Sequence, residues 1–125
     1  MKKRVLVVDD ERPILELLKF KLSRHGFEAV TAKDGDEFEA LARSQKPNLI
    51  ILDIWLKGKM GTDVYRHLLE EGFDRNVPVI FITALLEAQP PKLASPNGKY
   101  SLFSKPFDLE ELMKEVDRLL ADAKT

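Results

Sequence analysis

The run Asn48-Leu49-Ile50-Ile51-Leu52-Asp53 constrains this chain more than any other segment. Four consecutive large apolar residues leave no polar face. Such a strand is covered on both sides, as in a parallel sheet with helices packed above and below it. Val5-Leu6-Val7-Val8 repeats the pattern, and Phe27–Thr31, Val77–Thr83 and Tyr100–Ser104 are further strand candidates. Between them lie segments of helical period. Ile14, Leu15, Leu18 and Leu22 form one stripe from about Pro13 to Arg24, with Gly26 as a natural stop. Phe38, Leu41 and Ala42 follow the turn Asp34-Gly35-Asp36, and a third helix runs near Thr62–Glu71, closed by Gly72. A last helix opens at Asp108, with Glu111 completing an Asp-x-x-Glu capping box ahead of Leu109, Leu112, Val116, Leu119 and Leu120. Strands alternating with helices predict an α/β sheet with right-handed crossovers. Its functional groups are expected at the carboxyl ends of the strands.

That rule brings together residues far apart in the chain. The first strand ends in Asp9-Asp10, the third in Asp53 and the fourth in Thr83, and the fifth leads to Lys105-Pro106. Each has an ordinary explanation alone: a helix cap, a polar turn, a common strand residue, a solvated lysine. Together they place three carboxylates, a hydroxyl and an ammonium on one edge. Clustered carboxylates repel one another unless a cation sits among them. Magnesium prefers hard oxygen ligands and binds phosphate oxygens alongside carboxylates. A carboxylate can also act as a nucleophile and become an aspartyl phosphate, a reaction that chiefly needs in-line positioning and charge stabilisation.

Val5–Glu11 (Val-Leu-Val-Val-Asp-Asp-Glu), Asn48–Asp53, Ile82-Thr83-Ala84 and Lys105-Pro106-Phe107 resemble, in order and spacing, the four signatures of the receiver domain of bacterial two-component response regulators. The resemblance covers essentially the whole chain, read as a single receiver domain over residues 1–125. It implies a flavodoxin-like, doubly wound, five-stranded parallel sheet of order 2-1-3-4-5. It implies that Asp53 takes a phosphoryl group from a histidine kinase or phosphotransfer protein, with Thr83 and Lys105 binding that group. It also implies Mg2+ held by Asp10, by Asp9 largely through water, by Asp53 and by the backbone carbonyl of Trp55, and a cis peptide bond at Lys105-Pro106. Self-catalysed phosphotransfer and slow self-hydrolysis are expected, not ordinary enzyme turnover. The signal would leave through the face formed by the fourth helix, fifth strand and fifth helix, with Thr83, Ala84 and position 102 as the switch region.

The chain departs from the family pattern at four places. Lys57 stands where proline is usual, but the loop keeps its length and its Gly61. The aromatic switch position is Leu102, and strand alternation turns the neighbouring Phe103 toward the core. Pro90, Pro91 and Pro96 fall where the fourth helix would run, so a short turn followed by irregular chain is expected there. Trp55 is bulky at a family-variable position beside the phosphoacceptor. Leu102 and the proline-rich segment keep open an alternative: a degenerate receiver acting as a phosphorylation-independent protein-binding module.

Composition narrows the remaining classes. Twenty basic and 21 acidic residues give a net charge of −1, without the basic excess of a nucleic-acid-binding domain. There is no cysteine, which excludes disulfides and thiol chemistry. The apolar run behind Met1-Lys2-Lys3-Arg4 is too short for a signal peptide or a membrane span, so a cytoplasmic protein without membrane contact is expected. His25 and His67 are read as surface histidines. An aspartate-nucleophile phosphatase would carry a second aspartate two residues after the first, where this chain has Trp55. A flavodoxin-like electron carrier would need a neutral phosphate-binding loop where this chain has Asp9-Asp10-Glu11.

Overall fold

The computed structural model describes residues 2–84 and 100–122. Strands β1 (Arg4–Val8), β2 (Glu28–Ala32) and β3 (Leu49–Asp53) alternate with helices α1 (Arg12–Arg24) and α2 (Gly35–Gln45). A short ribbon of β4 (Trp55–Leu56) and β5 (Lys59–Met60) precedes α3 (Gly61–Glu70). Strands β6 (Val79–Thr83) and β7 (Tyr100–Ser104) and helix α4 (Leu109–Asp122) complete the described chain. The main sheet has the order β2-β1-β3-β6-β7, with every neighbouring pair parallel. Counting only its own five strands, this is the expected order 2-1-3-4-5. Residues 85–99, where the irregular fourth helix was expected, lie outside the described residues.

The all-apolar strands are explained by two cores, one on each face of the sheet. Val5, Val7, Leu49, Ile51, Ile80 and Ile82 face Leu15, Leu18 and Leu22 of α1 and Leu112, Val116 and Leu119 of α4. Leu6, Val8, Ile50, Leu52, Val79 and Phe81 face Phe38 and Ala42 of α2 and Tyr65 and Leu68 of α3. Alternate residues of one strand thus enter different cores, and no position on β3 is free to be polar until Asp53. Edge strand β7 is different. Phe103 packs on the α1/α4 core, whereas Tyr100 and Leu102 are 46% and 43% exposed. The expectation for Phe103 therefore holds.

Several boundaries move from where the sequence put them, each for a local reason. The second strand begins at Glu28 because the Phe27 N–H is taken by the Leu22 carbonyl at the end of α1. The fourth begins at Val79, since Pro78 has no N–H to donate and Val77 donates into a turn, to the Asp74 carbonyl. Asn48 precedes its strand but clamps β1 to β3, its side chain accepting from the Arg4 N–H at 2.7 Å. The Asp108 side chain accepts from the N–H groups of Glu110 and Glu111, as a cap should, while the Glu111 carboxylate turns to Lys114 at 3.6 Å. Among the described residues, no helix is long and apolar enough to cross a membrane.

Candidate functional site

The carboxyl edge of the sheet collects the residues that the strand ends predicted. Asp53 is the last residue of β3 and is 3% exposed. Asp9 follows β1 directly, is 1% exposed, and donates its N–H to the Ala32 carbonyl, so the ladder to β2 runs one step further. Asp10 is half-buried beside them. Thr83 ends β6 in a buried position, and its carbonyl accepts from the Lys105 N–H at 2.8 Å, which sets Lys105 just past β7. The Lys105-Pro106 peptide bond is cis. Ala84 is exposed at the same edge.

Lys105 is the hub. Its Nζ lies 3.0 Å from Asp53 Oδ2, 3.1 Å from Asp9 Oδ2 and 2.6 Å from Glu11 Oε2. The other oxygens of the two buried aspartates are held by backbone. Asp9 Oδ1 accepts from the Glu11 N–H at 2.8 Å, and Asp53 Oδ1 accepts from the Trp55 N–H at 3.0 Å. Glu11 is the residue that strand-end reasoning missed. It belongs to the first helix by position, and only its place directly after two site aspartates signals it.

The electrostatics follow from burial. Desolvation pushes the Asp53 carboxyl up from 3.8 to about 6, against the pull of Lys105, and the nearby charge of Asp9 adds to the rise. Desolvation raises Asp9 as well, opposed by the Glu11 N–H and by Lys105. For Lys105, burial works to lower the ammonium, but Glu11, Asp53 and Asp9 together outweigh it and hold the group above the ordinary lysine range. One ammonium facing three carboxylates does not neutralise them.

The donor set fits a hard dication. Ligand oxygens of Asp9, Asp10 and Asp53 lie within 4.8 Å of one another. Among the described residues, buried Asp9 Oδ2 finds no hydrogen-bond donor, although Lys105 Nζ is 3.1 Å away without the direction of one. A buried carboxylate oxygen with no directed donor suits a cation that takes only oxygen ligands.

The ribbon after β3 frames this edge. Trp55 pairs with Met60 and Leu56 with Lys59, around a turn in which Gly58 takes the left-handed φ of +78°. The side chain of Trp55 is 48% exposed and packs into neither core. Gly61 is needed for close packing, not for its φ. A Cβ there would meet the Asp53 carbonyl oxygen at 2.4 Å and Leu52 Cδ1 at 2.9 Å. The Gly61 N–H donates to the Ile54 carbonyl at 2.7 Å. Helix α3 thus starts hard against the strand that ends in Asp53.

The histidines lie elsewhere. His25, at the end of α1, sits 3.5 Å from Asp117 and stacks on Phe27. His67 lies 3.3 Å from Glu39 and 3.1 Å from Glu71, with the Arg43 guanidinium paired to both carboxylates. The fold thus gives His67 acidic partners that the sequence did not suggest, in an exposed ion-pair network joining α2 and α3.

Comparison with known proteins agrees with this geometry. Residues 5–117 match the family described as response regulator receiver domain. The chain is 34% identical over 120 residues to the phosphate regulon transcriptional regulatory protein PhoB of Escherichia coli, covering 96% of this chain and 52% of that protein. It spans about half the length of the curated relatives it matches. Among solved structures, it is similar to the receiver domain of the Francisella response regulator 1452, with a TM-score of 0.83 and 27% identity over 98% of this chain and 100% of that one. It is also similar to the response regulator TrrA of Thermotoga maritima in complex with Mg(2+)-BeF, with a TM-score of 0.78 and 34% identity over 94% of this chain and 98% of that one.

Proposed function

The chain belongs to the response regulator receiver domain family, and from that premise we propose that Asp53 accepts a phosphoryl group from a histidine kinase or phosphotransfer protein, with Mg2+ bound among Asp9, Asp10 and Asp53. The observation that carries this reading is the meeting of Asp53 and Lys105 at 3.0 Å on a sheet edge that also holds Asp9 and Asp10. A carboxylate oxygen of Asp53 attacks phosphorus. The new O–P bond forms as the P–N bond of the donor phosphohistidine breaks, and the imidazole leaves with the electron pair and takes up a proton. Buried at the end of a rigid strand, the nucleophile loses little freedom on reacting. The Lys105 ammonium pairs with one phosphoryl oxygen, and the Thr83 hydroxyl donates to another. Asp9, Asp10, Asp53 and the Trp55 backbone carbonyl would hold Mg2+, which when bound would supply charge neutralisation for a phosphoryl oxygen. Slow hydrolysis of the aspartyl phosphate returns the site to its resting state, so the domain is a timed switch without ordinary turnover. It works in the cytoplasm, and its signal leaves through the face that includes β7 and α4.

Intact mass after incubation with magnesium and acetyl phosphate tests this directly, with phosphopeptide mapping to locate the group. One added phosphoryl group on Asp53 is expected, and none on Asp53→Asn; undiminished labelling of that variant refutes the assignment. The second reading, a phosphorylation-independent binding module, draws on Leu102, a half-exposed aliphatic residue at the position of the usual switch aromatic. Backbone amide shifts with and without beryllofluoride separate the two. Changes reaching 85–104 support switching, and changes confined to the neighbourhood of Asp53 support the module.

A further inference from the structure

Glu11 holds the N-cap position of α1, yet its side chain makes no capping hydrogen bond. The side chains that usually cap this position are the short ones of Ser, Thr, Asp and Asn, and the longer Glu11 side chain leaves the first-turn N–H groups uncapped. No other acidic residue in the first turn of α1 takes over that role. The Glu11 carboxylate reaches across the sheet edge instead. Its Oε2 lies 2.6 Å from Lys105 Nζ, closer than either Asp53 at 3.0 Å or Asp9 at 3.1 Å.

The three partners of Lys105 are not equivalent. Asp9 and Asp53 are buried, and backbone N–H groups fix one oxygen of each. The Glu11 side chain is 55% exposed, so it can swing into water at small cost. We infer that Glu11 is a positioning residue that holds Lys105 in the resting site and competes with an incoming phosphoryl group for the same ammonium. The inference rests on the reading of Asp53 as phosphoacceptor. An anion arriving at Asp53 meets an ammonium already engaged at short range. It also meets the charge of Glu11, which repels it. Lys105 turns fully to the phosphoryl oxygens only when Glu11 lets go, and the Glu11 carboxylate then leaves for solvent. The resting site is thereby biased against casual anion binding, and a donor must outcompete an internal carboxylate.

The test measures beryllofluoride binding in magnesium, which mimics the phosphoryl group on Asp53, with Trp55, the sole tryptophan, as the fluorescent reporter. Wild type is compared with Glu11→Gln, Glu11→Asp and Glu16→Gln. The last removes a carboxylate that lies one turn along α1 and pairs with Arg12 at 3.9 Å, not with Lys105. Glu11→Gln is expected to bind roughly two- to fivefold more tightly, the scale of a partly exposed ion pair. Glu16→Gln should match wild type, and Glu11→Asp, which keeps the charge on a shorter arm, should fall between. The Lys105 Nζ resonance in the ligand-free protein supplies a readout independent of anion binding. It should move in Glu11→Gln and stay in place in Glu16→Gln. Equal affinities for Glu11→Gln and Glu16→Gln, or an unmoved Lys105 resonance, overturn the inference while leaving the phosphoacceptor reading intact. If wild type itself shows neither beryllofluoride binding nor labelling of Asp53, that reading falls and this inference with it.

Discussion

Gly61→Ala probes the tightest approach beside Asp53. The added Cβ would lie 2.4 Å from the Asp53 carbonyl oxygen, where real Cβ atoms essentially never come below 3.0 Å. Strand or helix must therefore retreat by about 0.6 Å, and the offending atom is backbone, with no flexible tip to move aside. The same methyl presses on Leu52 Cδ1 at 2.9 Å, in the fully buried core between the sheet and α3. Overpacking of this kind costs about 1–3 kcal/mol. The usual preference of helices for alanine over glycine offsets about 0.5–1 kcal/mol of that. These ranges leave a net loss of up to about 2.5 kcal/mol, centred on about 1 kcal/mol, which for a domain of this length lowers Tm by several degrees and by at most roughly 10 °C. The reactive carboxylate is displaced as well, so phosphoryl uptake from acetyl phosphate should slow about tenfold, given that a 1 Å misplacement costs on the order of a hundredfold. Gly72→Ala is the comparison. Its φ of +99° makes it strained, but nothing lies within 4 Å of its Cβ, and it sits beyond the far end of α3. It should lose stability and keep the wild-type uptake rate. Thermal melting and timed labelling read both variants. A Gly61→Ala protein that melts and labels like wild type refutes the argument, and one that labels no more slowly than Gly72→Ala refutes its second half.

Other expectations follow from burial and pairing. The Asp53 carboxyl is raised by burial from 3.8 to about 6, so at pH 7 the fold holds an ionised group that the unfolded chain ionises more easily. That penalty grows as pH rises from about 4 to 6 and vanishes below both values, where folded and unfolded chains are equally protonated. Asp53→Asn should therefore raise stability at pH 7 by on the order of 1–2 kcal/mol, less than the full shift implies because Lys105 loses a partner. Urea melts at pH 7 and pH 3.5 check this, and a gain of the same size at both would be fatal to it. Asp10→Ala should weaken magnesium binding at least tenfold by removing a hard ligand, as read by Trp55 fluorescence, and wild-type affinity in the variant rules the role out. Among the described residues, the hydroxyl of buried Tyr65 has no hydrogen-bond partner, while its ring packs edge-on against Phe81 at 6.0 Å. Tyr65→Phe is thus expected to be neutral or to gain up to about 1 kcal/mol, and a clear loss in chemical denaturation would show that the hydroxyl is satisfied.

Much of the architecture was legible because burial on both faces of a parallel sheet leaves a direct mark on the chain. Leu49–Leu52 and Val5–Val8 have no polar residue to offer, and both cores claim them alternately. The strand-end residues were legible for the same reason: in such a run, the first carboxylate is where the sheet stops. Boundaries set by single hydrogen bonds were not. The loss of Phe27 to the Leu22 carbonyl and the delayed start at Val79 depend on which N–H finds which acceptor, and residue type does not decide that. The ribbon at Trp55–Met60 was visible only as a glycine-containing loop, because its two-residue strands are too short to show a period.

Glu11 escaped for a deeper reason. Strand-end reasoning selects residues by the element they terminate, and Glu11 terminates none; it starts a helix. What brings it into the site is a long, flexible side chain answering an ammonium 94 residues away in the chain. Asp9 and Asp53 are placed by backbone, so their positions follow from topology. The position of Glu11 follows from charge balance, which exists only once the sheet has assembled its carboxylates around Lys105. Gly61 belongs to the same class of information, since the Asp53 carbonyl that forbids a side chain there meets it only through the packing of α3. Residues fixed by topology hold the reacting atoms. The residues fixed by packing and charge govern how readily Lys105 and Asp53 reach the phosphoryl group, and substitutions there should change rates and affinities while leaving the sheet intact.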